Sequence, residues 1–226
     1  MPLQNRVTPE GEIVAIAARG SMMGNRGGAL HDQTRSLGRR RWVSRQWICC
    51  VLSFKNRHRQ VMQPNRYTEF FFLDEATALA AGHRPCFECR RQDAVKFAEA
   101  WATAHGLTTP PKAGEMDKVL HGERLQTDGG KRTHTMPWTT LPDGTVVRLP
   151  DGPALVLADK VWPWTPDGYT APAPRPEGPH QACVLTPPAI VATLRSGYQP
   201  MLHASTRFGG QTSSGGREFP WKGRGG

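Results

Sequence analysis

A pair of cysteines separated by two residues constrains this chain more than any other feature. Cys86 and Cys89 enclose Phe87-Glu88, and Pro85 comes directly before them. Two thiolates on such a tight turn can bind one tetrahedral zinc ion. Redox-active pairs have the same spacing, but they normally follow a strand in a βαβ unit, and here a helix is predicted before the turn. The pair therefore predicts a zinc site, with Zn²⁺ as the cofactor, that mainly holds the fold together.

A structural zinc site needs ligands beyond this pair. Cys49 and Cys50 lie together on a predicted strand, and neighbouring strand residues point to opposite faces. One of them can bind the metal while the other packs inside, and we slightly favour Cys50, although a bulge would admit both. The histidines that can complete the site are His31, His83, His121 and His203.

The charge of the chain indicates an anionic partner. Lys and Arg number 29 against 19 Asp and Glu, which gives a formal net charge of +10. Such a surplus favours nucleic acid, and DNA first. A Gly-rich turn at residues 24–28 can also cradle a phosphate through its backbone N–H groups.

The cations are concentrated in one segment, because no acidic residue lies between Asp32 and Glu69. Aromatic side chains are interleaved with them, and Trp42 or Trp47 is expected to stack on an unpaired base. The cations predicted to contact phosphates are Arg39, Arg40, Arg41, Arg45, Lys55, Arg57 and Arg59.

The N-terminal half predicts short strands and helices. Residues 47–54 and 60–62 are expected to pair as a hairpin with a basic tip, and residues 67–73 to form another strand. Asp74 is a predicted N-cap for a short helix that ends at Gly82. A longer amphipathic helix follows Cys89.

The C-terminal half predicts a β-rich unit that is closed by a helix. A helix is expected within residues 115–125, and Thr186 is expected to cap the closing helix. The strands are expected within residues 144–149, 154–158, 161–164 and 182–185.

One short segment resembles a known family. Ala78 to Cys89, with the sequence Ala-Leu-Ala-Ala-Gly-His-Arg-Pro-Cys-Phe-Glu-Cys, is similar to the second half of the zinc-binding module of the Ada DNA-repair (methylphosphotriester) family. The similarity extends over about residues 47–93. It implies a zinc site, contact with DNA and a connection with DNA repair. The family's first cysteine pair, with three residues between its ligands, is absent here, so the family's methyl transfer is not expected.

These features predict an α+β fold and four segments. They are a Gly-rich N-terminal segment (1–34), an Ada-like basic zinc-binding domain (35–107), a β-rich unit (113–208) and a disordered tail (209–226). No apolar run reaches the ~20 residues that a membrane span needs, and the N-terminus lacks the apolar core of a signal peptide. We therefore expect a cytoplasmic protein whose cysteines are thiols or metal ligands.

The leading functional hypothesis is a zinc-binding, DNA-associated protein. One alternative is a metal-dependent hydrolase or nuclease acting on nucleic acid or a nucleotide, with His31, Asp32 and His58 as candidate ligands or general base. The segment 121–123 also matches half of a zinc-deaminase signature, but the two halves stand in reversed order. The other alternative is a protein-interaction module that zinc stabilises.

Overall fold

The computed structural model describes residues 1–56 and 60–208, and these form two β-sheets and a set of short helices. The predicted α+β class is therefore confirmed. The predicted disordered tail, residues 209–226, lies outside the described residues, as do residues 57–59.

The first sheet has six strands, in the order β2-β1-β5-β3-β4-β6. The β1–β5 and β4–β6 pairs are parallel, and the other neighbours are antiparallel. Its buried face is built largely from the side chains of Val7, Met22, Phe70 and Phe72. The strands are β1 (Gln4–Val7), β2 (Ile13–Ala15), β3 (Met22–Asn25), β4 (Ile48–Cys50), β5 (Phe70–Phe72) and β6 (Arg84–Pro85).

The Gly-rich segment 1–34 supplies three of these strands, β1, β2 and β3. A high glycine content is compatible with strands as well as loops, because glycine permits close strand packing in addition to turns. A Cβ on Gly24 would lie 2.2 Å from the carbonyl oxygen of Ile48, and one on Gly20 would lie 1.9 Å from that of Phe72. Both glycines are thus required by the sheet itself.

The predicted hairpin between residues 47–54 and 60–62 is wrong. β4 pairs with β3 on one side and with β6 on the other, and no strand covers residues 60–62. The backbone N–H of Met62 instead donates to the Glu69 carboxylate at 2.8 Å. The true partners of β4 are distant in the sequence, so local alternation could not reveal them.

Helix α1 (Glu75–Ala80) lies at the centre of the molecule, with every one of its residues buried. The predicted cap is confirmed, since the Asp74 carboxylate accepts a hydrogen bond from the N–H of Thr77 at 2.9 Å. Three separate core clusters take side chains from this helix: Ala78 packs with the first sheet, Leu79 with the other helices, and Ala76 and Ala80 with the second sheet. Small side chains allow this close approach on all sides.

The longer helices pack together beside α1. They are α2 (Arg91–Ala104), α3 (Ala113–Arg124) and α4 (Pro188–Arg195), and the short α5 (Ser205–Phe208) follows them. The predicted apolar face of α2 is confirmed, because Phe97 and Trp101 are buried against residues of α3 and α4. None of the helices in the described part of the chain has the length and apolar character that crossing a bilayer requires.

The second sheet has seven strands, in the order β11-β10-β9-β8-β13-β7, and β12 pairs with β10. All its pairs are antiparallel. Thr186 does not cap α4, because Pro187 occupies that position and the Thr186 hydroxyl accepts from the N–H of Val146 at 2.9 Å. The strands are β7 (His134–Pro137), β8 (Val146–Leu149), β9 (Gly152–Leu157), β10 (Lys160–Thr165), β11 (Gly168–Tyr169), β12 (Ala173–Pro174) and β13 (Gln181–Val184).

The two predicted halves meet at the start of α1. The Asp74 carboxylate accepts from the hydroxyl of Tyr169 at 2.9 Å and from the N–H of His203 at 3.0 Å. Glu75 accepts from Tyr198 at 2.6 Å and from the N–H of Met201 at 2.8 Å. Two buried carboxylates of the N-terminal half are thus satisfied by the C-terminal half. The division into separate units at 35–107 and 113–208 stays a prediction.

Candidate metal centre

Three cysteines meet where β4 and β6 end. The parallel pairing aligns Cys49 with Pro85, so Cys50 and Cys86 follow side by side, and Cys89 returns on the turn before α2. The Sγ atoms of Cys50, Cys86 and Cys89 all lie within 4.8 Å of one another. In a tetrahedral site with Zn–S bonds of about 2.3 Å, neighbouring sulfurs lie about 3.8 Å apart. The three thiols are therefore close enough to bind one metal ion.

The turn that carries Cys86 and Cys89 is fixed by its backbone. The N–H of Cys86 donates to the carbonyl of Cys49 at 2.9 Å, and the N–H of Arg90 donates to the carbonyl of Cys86 at 3.0 Å. The N–H of Glu88 points at the Cys86 sulfur, at 3.4 Å. Hydrogen bonds from Cys50 and Cys89 lower the pKa of the Cys86 thiol. This geometry favours a thiolate, which is the form that binds a metal.

A buried ion pair anchors the strand before the turn. The Arg84 guanidinium donates to both carboxylate oxygens of Asp117 on α3, at 3.0 and 2.8 Å. Both side chains are almost completely buried. Bidentate pairing of this kind fixes orientation as well as distance, so α3 holds β6, and with it Cys86, in place.

Cys49, the other cysteine on β4, lies outside the cluster. Its side chain points to the opposite face of the strand and is fully buried with the core of the first sheet. The Arg90 guanidinium donates to its sulfur at 3.5 Å, and burial raises the pKa of this thiol. The alternation of side chains along the strand thus separates Cys50 from Cys49, which was also a candidate ligand.

None of the candidate histidines among the described residues joins the three cysteines. The His31 ring bonds with the Thr68 hydroxyl at 2.7 Å, and the His203 ring with the Ser205 hydroxyl at 2.9 Å. The other two histidines contact aromatic rings: the His83 ring lies 5.1 Å from that of Trp47, and the His121 ring 5.9 Å from that of Trp42. The described residues therefore offer three candidate metal ligands, all of them sulfur.

The cysteine cluster borders a cavity of about 580 Å³. The carboxylates on its wall belong to Glu69 and Glu88. The aromatic and basic side chains that also line it are Phe54, Tyr67, Phe71, Arg6 and Arg19. These residues come from distant parts of the chain, and no local pattern in the sequence connects them with the CxxC turn. A metal held by the three sulfurs can take its fourth ligand from this cavity.

The residues predicted to bind nucleic acid fall into three groups. Five of the cations are exposed, and these are Arg39, Arg40, Arg41, Arg45 and Lys55. Arg57 and Arg59 lie outside the described residues. Trp47 is only 2% exposed, and the guanidinium carbons of Arg26 and Arg124 lie 4.0 and 3.8 Å from its ring centroid. Trp47 therefore has no free face for a base, because residues far away in the sequence cover it.

The acidic residues of the alternative enzyme hypotheses accept hydrogen bonds from backbone N–H groups. Asp32 accepts hydrogen bonds from the N–H groups of Thr34 and Ser36, at 2.8 and 3.0 Å, and so closes its own loop. Glu123 accepts from the N–H of Ala189 at 2.9 Å, at the start of α4. His58 lies outside the described residues.

Comparisons with known proteins give no relative, since no protein-family model, curated protein or solved structure matches this chain.

Proposed function

We propose that this chain is a zinc-binding protein that associates with nucleic acid, and that its metal site is mainly structural. The observation that carries the proposal is the cluster of Cys50, Cys86 and Cys89 at the ends of two paired strands. Soft thiolate ligands select zinc among the common divalent ions. A metal at this point would join β4 to the turn before α2.

The charge distribution supports nucleic acid as the partner. Five exposed cations stand within residues 39–55, in a segment without any acidic residue. Contacts from Arg and Lys to phosphates supply most of the affinity in sequence-independent binding. The resemblance of Ala78–Cys89 to the Ada module supports DNA as the nucleic acid and DNA repair as the setting.

Metal analysis of purified protein tests the first part of the proposal. We expect about one zinc per chain, lost in Cys50→Ser and retained in Cys183→Ser, a half-buried cysteine of the second sheet. Wild-type protein that contains no stoichiometric zinc after purification in zinc-supplemented medium would refute the metal site.

Salt-dependent DNA binding tests the second part. A triple Ala variant of Arg39, Arg40 and Arg45 should lower the slope of log K against log salt by about 2.7, since each phosphate contact contributes about 0.9. The charge-matched control replaces three exposed lysines elsewhere, Lys96, Lys118 and Lys160. Equal slopes for both variants would contradict a DNA surface at residues 39–45. A zinc-loaded protein that never retains DNA would instead fit a protein-interaction module.

A metal-dependent hydrolase is the second candidate, because the cysteine cluster opens on the 580 Å³ cavity. A divalent ion with a free position acts as a Lewis acid and activates water at neutral pH. Glu88 is exposed at the cavity wall and can take up the released proton. Zinc-loaded protein should then hydrolyse a phosphodiester, and Glu88→Gln should lose turnover but keep its zinc, whereas Glu99→Gln should change neither. No turnover by the wild type rules out this candidate.

A further inference from the structure

A second cavity, of about 490 Å³, lies apart from the metal centre. Asn25 and Ile48 line the first cavity, whereas their chain neighbours Arg26 and Trp47 line the second. Successive residues of a strand point to opposite faces, so the two cavities lie on opposite sides of the β3–β4 pair. None of the described residues lines both of them.

Two buried arginines form the inner wall of this second cavity. Arg26 is 2% exposed and Arg124 is 1% exposed. Both guanidinium groups stack on Trp47, so two positive charges share one aromatic ring. Lys131, which is half-buried, lines the same cavity.

These three cations have neutral partners. Arg26 donates to the carbonyl of Gly11 at 2.9 Å, and Arg124 donates to the carbonyl of Gly82 at 2.9 Å. The Lys131 ammonium donates to the carbonyl of Ala80. Within residues 1–56 and 60–208, none of the three forms an ion pair with a carboxylate. Buried charge normally requires an opposite charge, and the described protein does not provide one here.

The wall of the cavity as a whole carries excess positive charge. Five cations line it, against two carboxylates. One of these carboxylates, Glu10, is already paired with Arg148 at 2.9 Å. The cations are Arg26, Arg41, Arg124, Lys131 and Arg148.

The cations also lower one another's pKa values. Burial, and then the charges of Arg124 and Arg41, lower the pKa of Arg26 to about 9. Burial, and then Arg26 and Arg124, lower the pKa of Lys131 to about 7. An anion in the cavity would relieve both effects, because an opposite charge stabilises the protonated form.

One donor in this wall has no acceptor. The Nε–H of Arg124 is buried and lacks a hydrogen-bond partner among the described residues. Buried donors in folded proteins are normally satisfied by protein groups, ordered water or a bound ion.

We propose that this second cavity binds a phosphate group. A guanidinium group can form two parallel hydrogen bonds to phosphate oxygens, and the excess of positive charge on the described wall favours an anion with more than one negative charge. The volume lies within the range of small-molecule sites, so a free phosphorylated molecule fits as well as a phosphorylated nucleic-acid end. The Gly-rich turn at residues 24–28 takes part through the Arg26 side chain.

Thermal unfolding of the full chain tests the proposal, with inorganic pyrophosphate as the probe and chloride at matched ionic strength as the reference. At a hundredfold excess over Kd, pyrophosphate should raise the melting temperature by about 5 to 10 °C in a saturable manner. Lys131→Gln and Arg41→Gln should each weaken pyrophosphate binding about tenfold. Arg91→Gln, an exposed arginine of α2 that does not line the cavity and lies outside the proposed DNA surface, should bind like the wild type.

A second arm identifies the source of the phosphate. It compares an oligonucleotide that carries a 5′-phosphate with the same oligonucleotide without it. Stabilisation by pyrophosphate alone assigns the cavity to a small ligand, and stabilisation that depends on the 5′-phosphate assigns it to a nucleic-acid end. Absence of saturable stabilisation in both arms, or equal loss of affinity in Arg91→Gln and Lys131→Gln, overturns the proposal. The zinc content is independent of these results.

Discussion

Replacing Glu75 by Gln should strongly destabilise the protein while leaving the shape of the side chain almost unchanged. Glu75 is fully buried. Its carboxylate accepts from Tyr198 at 2.6 Å, from Arg90 at 2.8 Å and from the N–H of Met201 at 2.8 Å. Gln at this position removes the charge that faces the buried Arg90 guanidinium.

The structure sets the size of this effect. Breaking a buried ion pair by removing one partner costs about 3–5 kcal/mol. Arg90 keeps a second partner, Asp93, at 2.8 Å, whose side chain is 38% exposed. We therefore expect a loss of about 3 kcal/mol, which for a chain of this length corresponds to about 6 to 12 °C in melting temperature.

Urea unfolding followed by circular dichroism, with zinc present, measures the loss. Glu99→Gln, on the exposed side of α2, is the matched control and should change the free energy of unfolding by less than about 0.5 kcal/mol. Tyr198→Phe should cost about 1.5–3 kcal/mol because its hydrogen bond is made to a charged group. The double variant should lose less than the sum, since both changes disrupt one network. A cost below about 1 kcal/mol for Glu75→Gln would refute the claim that a buried carboxylate joins the two halves.

Three further predictions concern the turn after α1 and the candidate metal centre. Gly82→Ala should lower the free energy of unfolding by about 2 kcal/mol or more, as measured in urea. The reason is that Gly82 has a φ of +86° and that a Cβ there would lie 2.6 Å from the Arg124 side chain. The control Gly122→Ala, with open space around it, should be neutral or stabilising. Burial, and then Arg26 and Arg124, hold the pKa of His83 well below its usual value, and Lys131 acts in the same direction. Below pH 6.5 the unfolded chain therefore binds a proton at His83 that the folded protein does not, so stability falls by up to about 1.4 kcal/mol per pH unit. His83→Phe should flatten this part of the pH–stability curve. Removal of metal by a chelator should lower the urea midpoint, and added zinc should restore it.

Each of these three has an outcome that contradicts it. Equal stability of Gly82→Ala and Gly122→Ala would mean that the backbone at residue 82 is not left-handed. An unchanged slope between pH 5 and 6.5 in His83→Phe would mean that the ring titrates normally in the folded protein. A urea midpoint that does not respond to the chelator would exclude a structural role for the metal.

The local parts of the structure could be predicted from the sequence. Asp74 and Gly82 could be identified as the two ends of α1, because helix capping and chain reversal depend on residues that are neighbours in the sequence. The spacing of Phe97 and Trp101 was enough to define the buried face of α2. The CxxC turn is local in the same sense, and the structure brings its two sulfurs together with a third.

The parts that could not be predicted depend on distant pairing. Cys50 reaches Cys86 because β4 lies parallel to β6, and nothing near Cys50 indicates that partner. Trp47 has the sequence context of an exposed base-stacking residue, yet Arg26 and Arg124 enclose it from 21 and 77 residues away. Single-sequence patterns describe the neighbours of a residue along the chain and not those across a sheet.

The carboxylates of α1 also have a consequence for synthesis on the ribosome. The three cysteines of the candidate metal centre have all been synthesised once Cys89 is made, whereas Tyr198 follows Glu75 by 123 residues. At about 5–20 residues per second, this interval lasts roughly 6 to 25 s. Throughout it, Asp74 and Glu75 lack their C-terminal hydrogen-bond donors. The three-cysteine cluster can thus form early, but the chain can close its core around α1 only after the segment from Tyr169 to His203 has left the exit tunnel.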